Sequence, residues 1–219
     1  IQSEHLNDFS AKILRRCKRE PVSKILGLKE FWNLELQVSP YVLDPRPDSE
    51  TLIEAARKQF PNKNRTLKVL DLGTGSGCLL LAALQEWPRS FGLGIDIDYR
   101  CIELAKKNAI RNGLNGRVKF QTGNWANDLD EKFDIILCNP PYIAANEISK
   151  LDEEVRLYEP KRALNGGQTG LDCYKHLAPQ FPNLLTAEGL LFLEIGFGQK
   201  KQIRSEEHTS ELQSPMYLV

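Results

Sequence analysis

No sign of charge predominates in this chain of 219 residues: 29 Lys and Arg offset 29 Asp and Glu. It therefore lacks the overall electrostatic footprint of a nucleic-acid binder. It also lacks any apolar run approaching the roughly 20 residues that span a bilayer, and no signal segment opens it. A soluble, intracellular protein is expected. Histidine is scarce, at three (His5, His176 and His208), with no ligand spacing among them. The five cysteines, Cys17, Cys78, Cys101, Cys138 and Cys173, are odd in number, scattered and without a CxxC pair. That pattern argues against a disulfide framework and a metal site, and predicts reduced, buried thiols.

What is present suits one globular domain with a small appendage: 41% of residues are hydrophobic and 26% charged. Between Asp8 and Arg19, Phe9, Ile13, Leu14 and Cys17 recur at helical spacing, with Lys12, Arg15, Arg16, Lys18 and Arg19 filling the remainder. This predicts an amphipathic helix with a basic face, ended by Pro21. Residues 27–42 alternate like two short strands, with Phe31, Leu34, Leu36 and Val38 as apolar members, before the loop Asp44-Pro45-Arg46-Pro47. Asp48-Ser49-Glu50 is a helix-start signal for 52–60. From Lys68 onward strands and helices trade places. Strands are expected at 69–72, 92–96, 118–121, 133–138 and 190–195, and helices at 78–87, 100–112, 148–157 and 171–184. Near-continuous apolar strands separated by helices imply an α/β fold, a parallel sheet with helices on both faces.

Two motifs carry chemistry. Asn139-Pro140-Pro141-Tyr142 directly follows the apolar run 133–138. The Asn139 side-chain carbonyl and the Pro140 backbone carbonyl are acceptors held by two prolines, which bring no competing N–H. Such a pair reads an NH2 group, and Tyr142 offers a flat face for the planar group that carries it. The second motif, Asp71-Leu72-Gly73-Thr74-Gly75-Ser76-Gly77, joins the first sheet strand to its helix, where a nucleotide-like ligand can approach the backbone. Asp96, with Ile97 beside it, ends the next strand about 20 residues on, where an acid accepts from ribose hydroxyls. A dinucleotide fingerprint needs its third glycine at position 78, which is Cys78, so the pyrophosphate reading weakens. The Gly-x-Gly-x-Gly pattern instead resembles the S-adenosylmethionine loop of Rossmann-like methyltransferases. That resemblance places the methionyl part over Gly73 and Gly75, and Asn124 and Trp125 beside the adenine, Trp125 by stacking.

The chain as a whole resembles the HemK/PrmC family, protein methyltransferases that modify the glutamine of the Gly-Gly-Gln motif in peptide chain release factors. The likeness runs from Arg19-Glu20-Pro21 through Glu30-Phe31-Trp32, the Asp44 to Glu50 block, the glycine loop, Asp96, Asn124-Trp125 and Asn139 to Tyr142. It continues to Glu154-Val155-Arg156, Glu159-Pro160 and the stretch Gly189 to Gly196. The Pro-Arg-Pro block separates these enzymes from the adenine-specific methyltransferases that share Asn-Pro-Pro-Tyr. Departures are Asn124 where Asp is usual, Asp44 where an apolar residue is usual, and Ser49 for Thr. Gly166-Gly167-Gln168 spells the substrate's own motif, yet its surroundings resemble a segment of the enzymes themselves.

The resemblance implies a class I methyltransferase using S-adenosylmethionine, cytoplasmic or in an organelle matrix, acting as a monomer on a release factor and not on nucleic acid or at a membrane. Catalysis is expected from Asn139, Pro140 and Tyr142, and substrate binding from those residues with Pro141 and Arg46. Cofactor binding is expected from Asp71, Gly73, Thr74, Gly75, Ser76, Gly77, Asp96, Ile97, Asn124, Trp125 and Asn139. Residues 1–43 read as the remnant of an N-terminal helical recognition domain plus a hairpin linker, and 44–203 as the catalytic domain. The string from Arg204 to Ser214 reads like a translated sequencing adapter, so 204–219 is expected to be non-native. Ile1 opens inside a helix, so upstream residues are expected to be missing, and the sheet is expected to lack its last two strands. The competing readings are an adenine methyltransferase acting on DNA or RNA, a ribosomal-protein glutamine methyltransferase, and a fragment that binds cofactor without turnover.

Overall fold

The computed structural model describes residues 2–127, 129–209 and 216–218. The chain begins with α1 (Gln2–Cys17) and α2 (Val22–Leu26), then the hairpin β1 (Leu28–Phe31) and β2 (Leu34–Gln37). A 3-10 turn at Pro47–Ser49 leads into α3 (Glu50–Gln59). Strands and helices then alternate as β3 (Lys68–Leu72), α4 (Cys78–Glu86), β4 (Phe91–Asp96), α5 (Tyr99–Arg111), β5 (Val118–Thr122) and β6 (Phe133–Cys138). Four short helices follow: α6 (Glu153–Tyr158), α7 (Lys161–Leu164), α8 (Asp172–Leu177) and α9 (Phe181–Leu184). The chain closes with β7 (Leu185–Leu193), α10 (Lys200–Thr209) and β8 (Met216–Leu218).

The six-stranded sheet has the order β5-β4-β3-β6-β7-β8, with every pairing parallel. Period-two alternation sorts its side chains into two cores. Val69, Ile135 and Leu137 face α3, α4 and the hairpin, whereas Leu70, Leu72, Ile136 and Cys138 face Tyr174, Leu177 and Phe181. Burial on both faces explains why these strands read as unbroken apolar runs. Helix α4, nearly all Leu and Ala, is buried along its length. Its partner α5 is amphipathic and keeps its charged face in solvent.

The hairpin is fastened to the sheet domain by Asn108 of α5, which is fully buried. Its Oδ1 accepts from Gln37 N (2.7 Å), while Nδ2 donates to Gln37 O (3.1 Å) and to Ser76 O in the glycine loop (2.9 Å). One side chain thus joins the appendage to the site. Helix α1 is tied down by the ion pair of Arg16 with Glu154 (2.8 Å), and leaves Leu6, Phe9 and Leu14 exposed.

The sheet has one strand more than the sequence led us to expect. β8 pairs with β7 through Leu191 and Met216, Phe192 and Tyr217, and Leu193 and Leu218, so β7 is not an open edge. Stacking of Tyr217 on Phe192 (5.2 Å between ring centroids) supports the pairing, although β8 falls in the stretch 204–219 expected to be non-native. Of the adapter string, Arg204 to Thr209 continue α10, and 210–214 lie outside the described residues. Two expected helices are each split: 148–157 becomes a 3-10 turn (Ile148–Lys150) followed by α6, and 171–184 becomes α8 and α9. Nor are all cysteines buried, for Cys17 is exposed and Cys78 and Cys173 are half-buried.

Candidate active site

β3, β4 and β6 end at one level, since Leu72 is in register with both Ile95 and Cys138. Here chain connections diverge to either side of β3, the crevice where α/β sheets take ligands. Gly73 N and Thr74 N both donate to Ile95 O (2.9 Å each), which turns the chain sharply off β3. Gly75 has φ +55°, a left-handed conformation that costs glycine little, and its N–H donates to Asp96 Oδ2 (2.9 Å). Asp98 N donates to the other oxygen (2.9 Å). Asp96 therefore holds the glycine turn as well as facing the crevice. Burial raises its carboxyl above the ordinary range, opposed by the two backbone N–H groups.

The crevice encloses a cavity of about 300 Å³, the small end of the range for ligand sites. Its walls are Gly73 and Gly75, the end of β4 from Ile95 to Ile97, the segment Gly123 to Trp125 after β5, and Asn139 with Pro141 after β6. Trp125 has φ +55°, an outlier for a bulky residue, and a Cβ built on Gly73 would sit 3.4 Å from its ring. A left-handed backbone at such a residue stores about 1–3 kcal/mol, and strain of this kind clusters at ligand sites. Of the residues expected to hold a cofactor, Gly73, Gly75, Asp96, Ile97, Asn124, Trp125 and Asn139 meet at this cavity.

The others stand behind its wall. Asp71 is buried, and Thr74 donates its hydroxyl to Asp71 Oδ2 (2.7 Å) while Oδ1 has no partner. Burial pushes the Asp71 carboxyl up to about 7. Ser76 is likewise buried, with its Oγ unpartnered, and Gly77 packs near Ala105 and Leu81 as it starts α4. These four shape the loop and do not line the cavity. Arg46 also lies off the cavity wall, held by Glu159 Oε1 (2.9 Å).

The tetrapeptide presents Asn139 to the cavity while Pro140 and Tyr142 lie off it. Asn139 Nδ2 donates to Ser49 Oγ (3.1 Å), Ser49 Oγ donates to Glu194 Oε2 (2.6 Å), and Tyr142 OH donates to Glu194 Oε1 (3.1 Å). Burial and the carboxylate beside it push the Tyr142 phenol up to about 12. Behind the tetrapeptide packs the loop containing Gly166-Gly167-Gln168. A Cβ at Gly166 would fall 2.7 Å from Pro141 O and 2.8 Å from Tyr142 Cα, so only glycine fits there. Gln168 itself is exposed.

Two parts of the site escaped the sequence. Glu194 was visible only as an acid in an apolar strand. The roof of the cavity, Tyr41 to Leu43 on one side and Pro160 with Arg162, Ala163 and Asn165 on the other, was marked only in part, by the resemblance at Glu159-Pro160 and around Gly166. Lys24 clasps it from below: its Nζ lies 3.0 Å from Asp44 Oδ1 and 3.2 Å from Glu159 Oε2, and donates to Ser39 O (2.8 Å). Arg162 ion-pairs with Asp98 across the cavity mouth.

A parallel α/β sheet with a glycine turn, a strand-end acid and an Asn-Pro-Pro-Tyr turn at one crevice has the architecture of a Rossmann-like class I methyltransferase. The family model of the methyltransferase small domain matches residues 47–177. A solved methyltransferase from Pyrococcus furiosus shares the fold, with TM-score 0.59 and 20% identity over 91% of this chain and 85% of that one. Among curated proteins, the release factor glutamine methyltransferase of Rhodospirillum rubrum is 45% identical over 93% of this chain, and that of Caulobacter vibrioides 42% over 91%. The chain belongs to the release factor glutamine methyltransferase family. It spans 62% of the length of the first relative and 68% of the second.

Proposed function

We propose that this protein transfers a methyl group from S-adenosylmethionine to the side-chain amide nitrogen of the glutamine in the Gly-Gly-Gln motif of a peptide chain release factor. The observation that carries the reading is that Asn139 and Asp96, a clamp for an NH2 group and an acceptor for a ribose, open on one cavity. The residues present fit that cofactor. Gly73 and Gly75 leave the floor bare, Trp125 supplies an aromatic wall, and Asp96 supplies a carboxyl group on that wall.

When bound, the cofactor supplies an electrophilic methyl on a sulfonium; the remaining work falls to the chain. A carboxamide nitrogen is a weak nucleophile because its lone pair is delocalised, so orientation is the main task. The Asn139 side-chain carbonyl and the Pro140 carbonyl accept the two amide hydrogens, aim the nitrogen into the cavity and favour the positive charge that develops on it. Holding two reactants in near-attack geometry is worth roughly 7–11 kcal/mol at best, so no dedicated base is required before transfer. The proton leaves afterwards to water.

Mass spectrometry of a release factor incubated with this protein and S-adenosylmethionine should show one added methyl on that glutamine. Activity on it should vary little with salt, whereas phosphate contacts would impose a steep dependence. Methylation of an adenine oligonucleotide, with the release factor untouched, would replace this reading by the nucleic-acid one. For the cofactor, Asp96→Ala should weaken binding of S-adenosylhomocysteine on the order of 100-fold by calorimetry, since two hydrogen bonds to a charged acceptor are lost. Unaltered affinity would remove Asp96 from the ribose.

A further inference from the structure

We infer that Glu194 is a positioning residue for this transfer: acting through Ser49, its carboxylate fixes the Asn139 side-chain amide with the carbonyl oxygen free for the substrate. The inference rests on the glutamine-methylation reading and deepens it. The two ends of an asparagine amide are nearly the same shape, yet only the oxygen can accept hydrogens from an incoming NH2. Something must therefore decide which end faces the cavity.

Ser49 alone cannot decide, because a hydroxyl both donates and accepts. Glu194 settles the matter. An ionised carboxylate only accepts, so the Ser49 hydrogen is committed to Glu194 Oε2 at 2.6 Å. Ser49 Oγ is left to meet Asn139 with a lone pair, and only Nδ2 can answer it, at 3.1 Å. The second carboxylate oxygen takes the Tyr142 hydroxyl at 3.1 Å, so the same residue orients both polar side chains of the tetrapeptide.

The arrangement is built rather than incidental. Glu194 is 7% exposed and Ser49 3%. The Glu194 backbone N–H donates to Cys138 O (3.0 Å), the residue just before Asn139, and its carbonyl accepts from Tyr174 OH (3.0 Å). Groups facing the carboxylate are Ser49 and Asp48 from the turn before α3, Cys138, Asn139 and Tyr142 from the end of β6 and beyond, Tyr174 from α8 and Cys78 from α4. Burial raises the Glu194 carboxyl, while hydrogen bonds from Ser49 and Tyr142 lower it. Once protonated, Glu194 can donate to Ser49, which is then free to turn its own hydrogen towards Asn139 Oδ1. The lock would release as pH falls through a value above the ordinary glutamate range of about 4.3.

The test combines kinetics and spectroscopy on the intact protein. Glu194→Gln should lower kcat about tenfold, the size of one misdirected hydrogen bond, with KM for the release factor and cofactor affinity within about twofold. The acid limb of the pH profile should vanish with it. Ser49→Ala should show a comparable loss, and Ser49→Thr should recover most of it. Independently of turnover, the side-chain amide signal of Asn139 in ¹⁵N NMR, assigned by its disappearance in Asn139→Ala, should titrate with pH in the wild type and stay fixed in Glu194→Gln. A wild-type amide signal indifferent to pH, or a Glu194→Gln profile that superimposes on the wild type, overturns the inference even if the variant folds poorly. A wild type that never methylates a release factor sinks the functional reading instead, while the amide signal still decides the lock.

Discussion

Replacing Asn139 with alanine should cut methyl transfer by at least about 100-fold while leaving cofactor affinity within a few-fold, because a positioned hydrogen-bonding group at the reacting centre is typically worth 10²–10³ in rate. Asn139 touches the cavity by one side chain among many walls, so binding has other supports. Its oxygen, by contrast, is the acceptor that the proposed chemistry requires. The substitution also leaves Ser49 Oγ without the Nδ2 partner it has at 3.1 Å, a local cost that Glu194 at 2.6 Å absorbs by keeping the hydroxyl bonded. Calorimetry with S-adenosylhomocysteine beside a methylation assay separates the two effects. Parallel losses in both would move Asn139 from the transfer step to the cofactor site.

The second large effect belongs to stability. Lys24→Met should destabilise the protein by about 3–5 kcal/mol, because it keeps the aliphatic stem but leaves two buried carboxylates facing each other. The side chains of Lys24, Asp44 and Glu159 are 3%, 7% and 1% exposed, so water cannot screen what remains. Asp44 keeps a hydrogen bond from Ser23, and Glu159 keeps those from Arg46 and the Asp44 backbone N–H, none of which replaces the ammonium between them. For a chain of this size the loss corresponds to a fall in Tm of about 6–20 °C, measurable by scanning calorimetry. A drop below about 2 °C would show that the cluster relaxes to solvent when its cation is removed. The roof of the cavity hangs on this cluster, so cofactor affinity should fall along with stability.

Much of the architecture was legible because a sheet buried on both faces must be written in continuous apolar runs, and those at 69–72 and 133–138 stand within a residue of β3 and β6. β7 was read too short. Its first half, Leu185 to Gly189, carries a half-buried Thr186 and exposed Ala187 and Glu188, and so lacks the apolar signature of Leu190 to Leu193. The helix at 171–184 was read too long, since Pro182 suits the first turn of a new helix rather than the interior of an old one.

The site divides along the same physical line. Gly73, Gly75, Asp96 and Asn139 were legible because each sits at or within a few residues of a strand's end, where sequence order already fixes place. The clasp of Lys24, Asp44 and Glu159 was not, for only the folded chain brings together residues up to 135 positions apart. Asp44 read as an inert departure and is the anion that Lys24 neutralises. Ser49 read as a mild substitution and is the relay between Asn139 and Glu194.

Main chain bears on main chain behind the tetrapeptide, where Gly166 and Gly170 meet Pro141 and Tyr142, and the Gln199 side chain pins the seam by donating to Tyr142 O (2.9 Å) and Gly170 O (3.4 Å). Such a bearing has few rotamers to hop, so the jitter of the turn there is set by the stiffness of two peptide segments and the amide that ties them. With roughly 100-fold in rate riding on a displacement of 1 Å, tolerance at that seam governs how sharply the proposed transfer can be aimed.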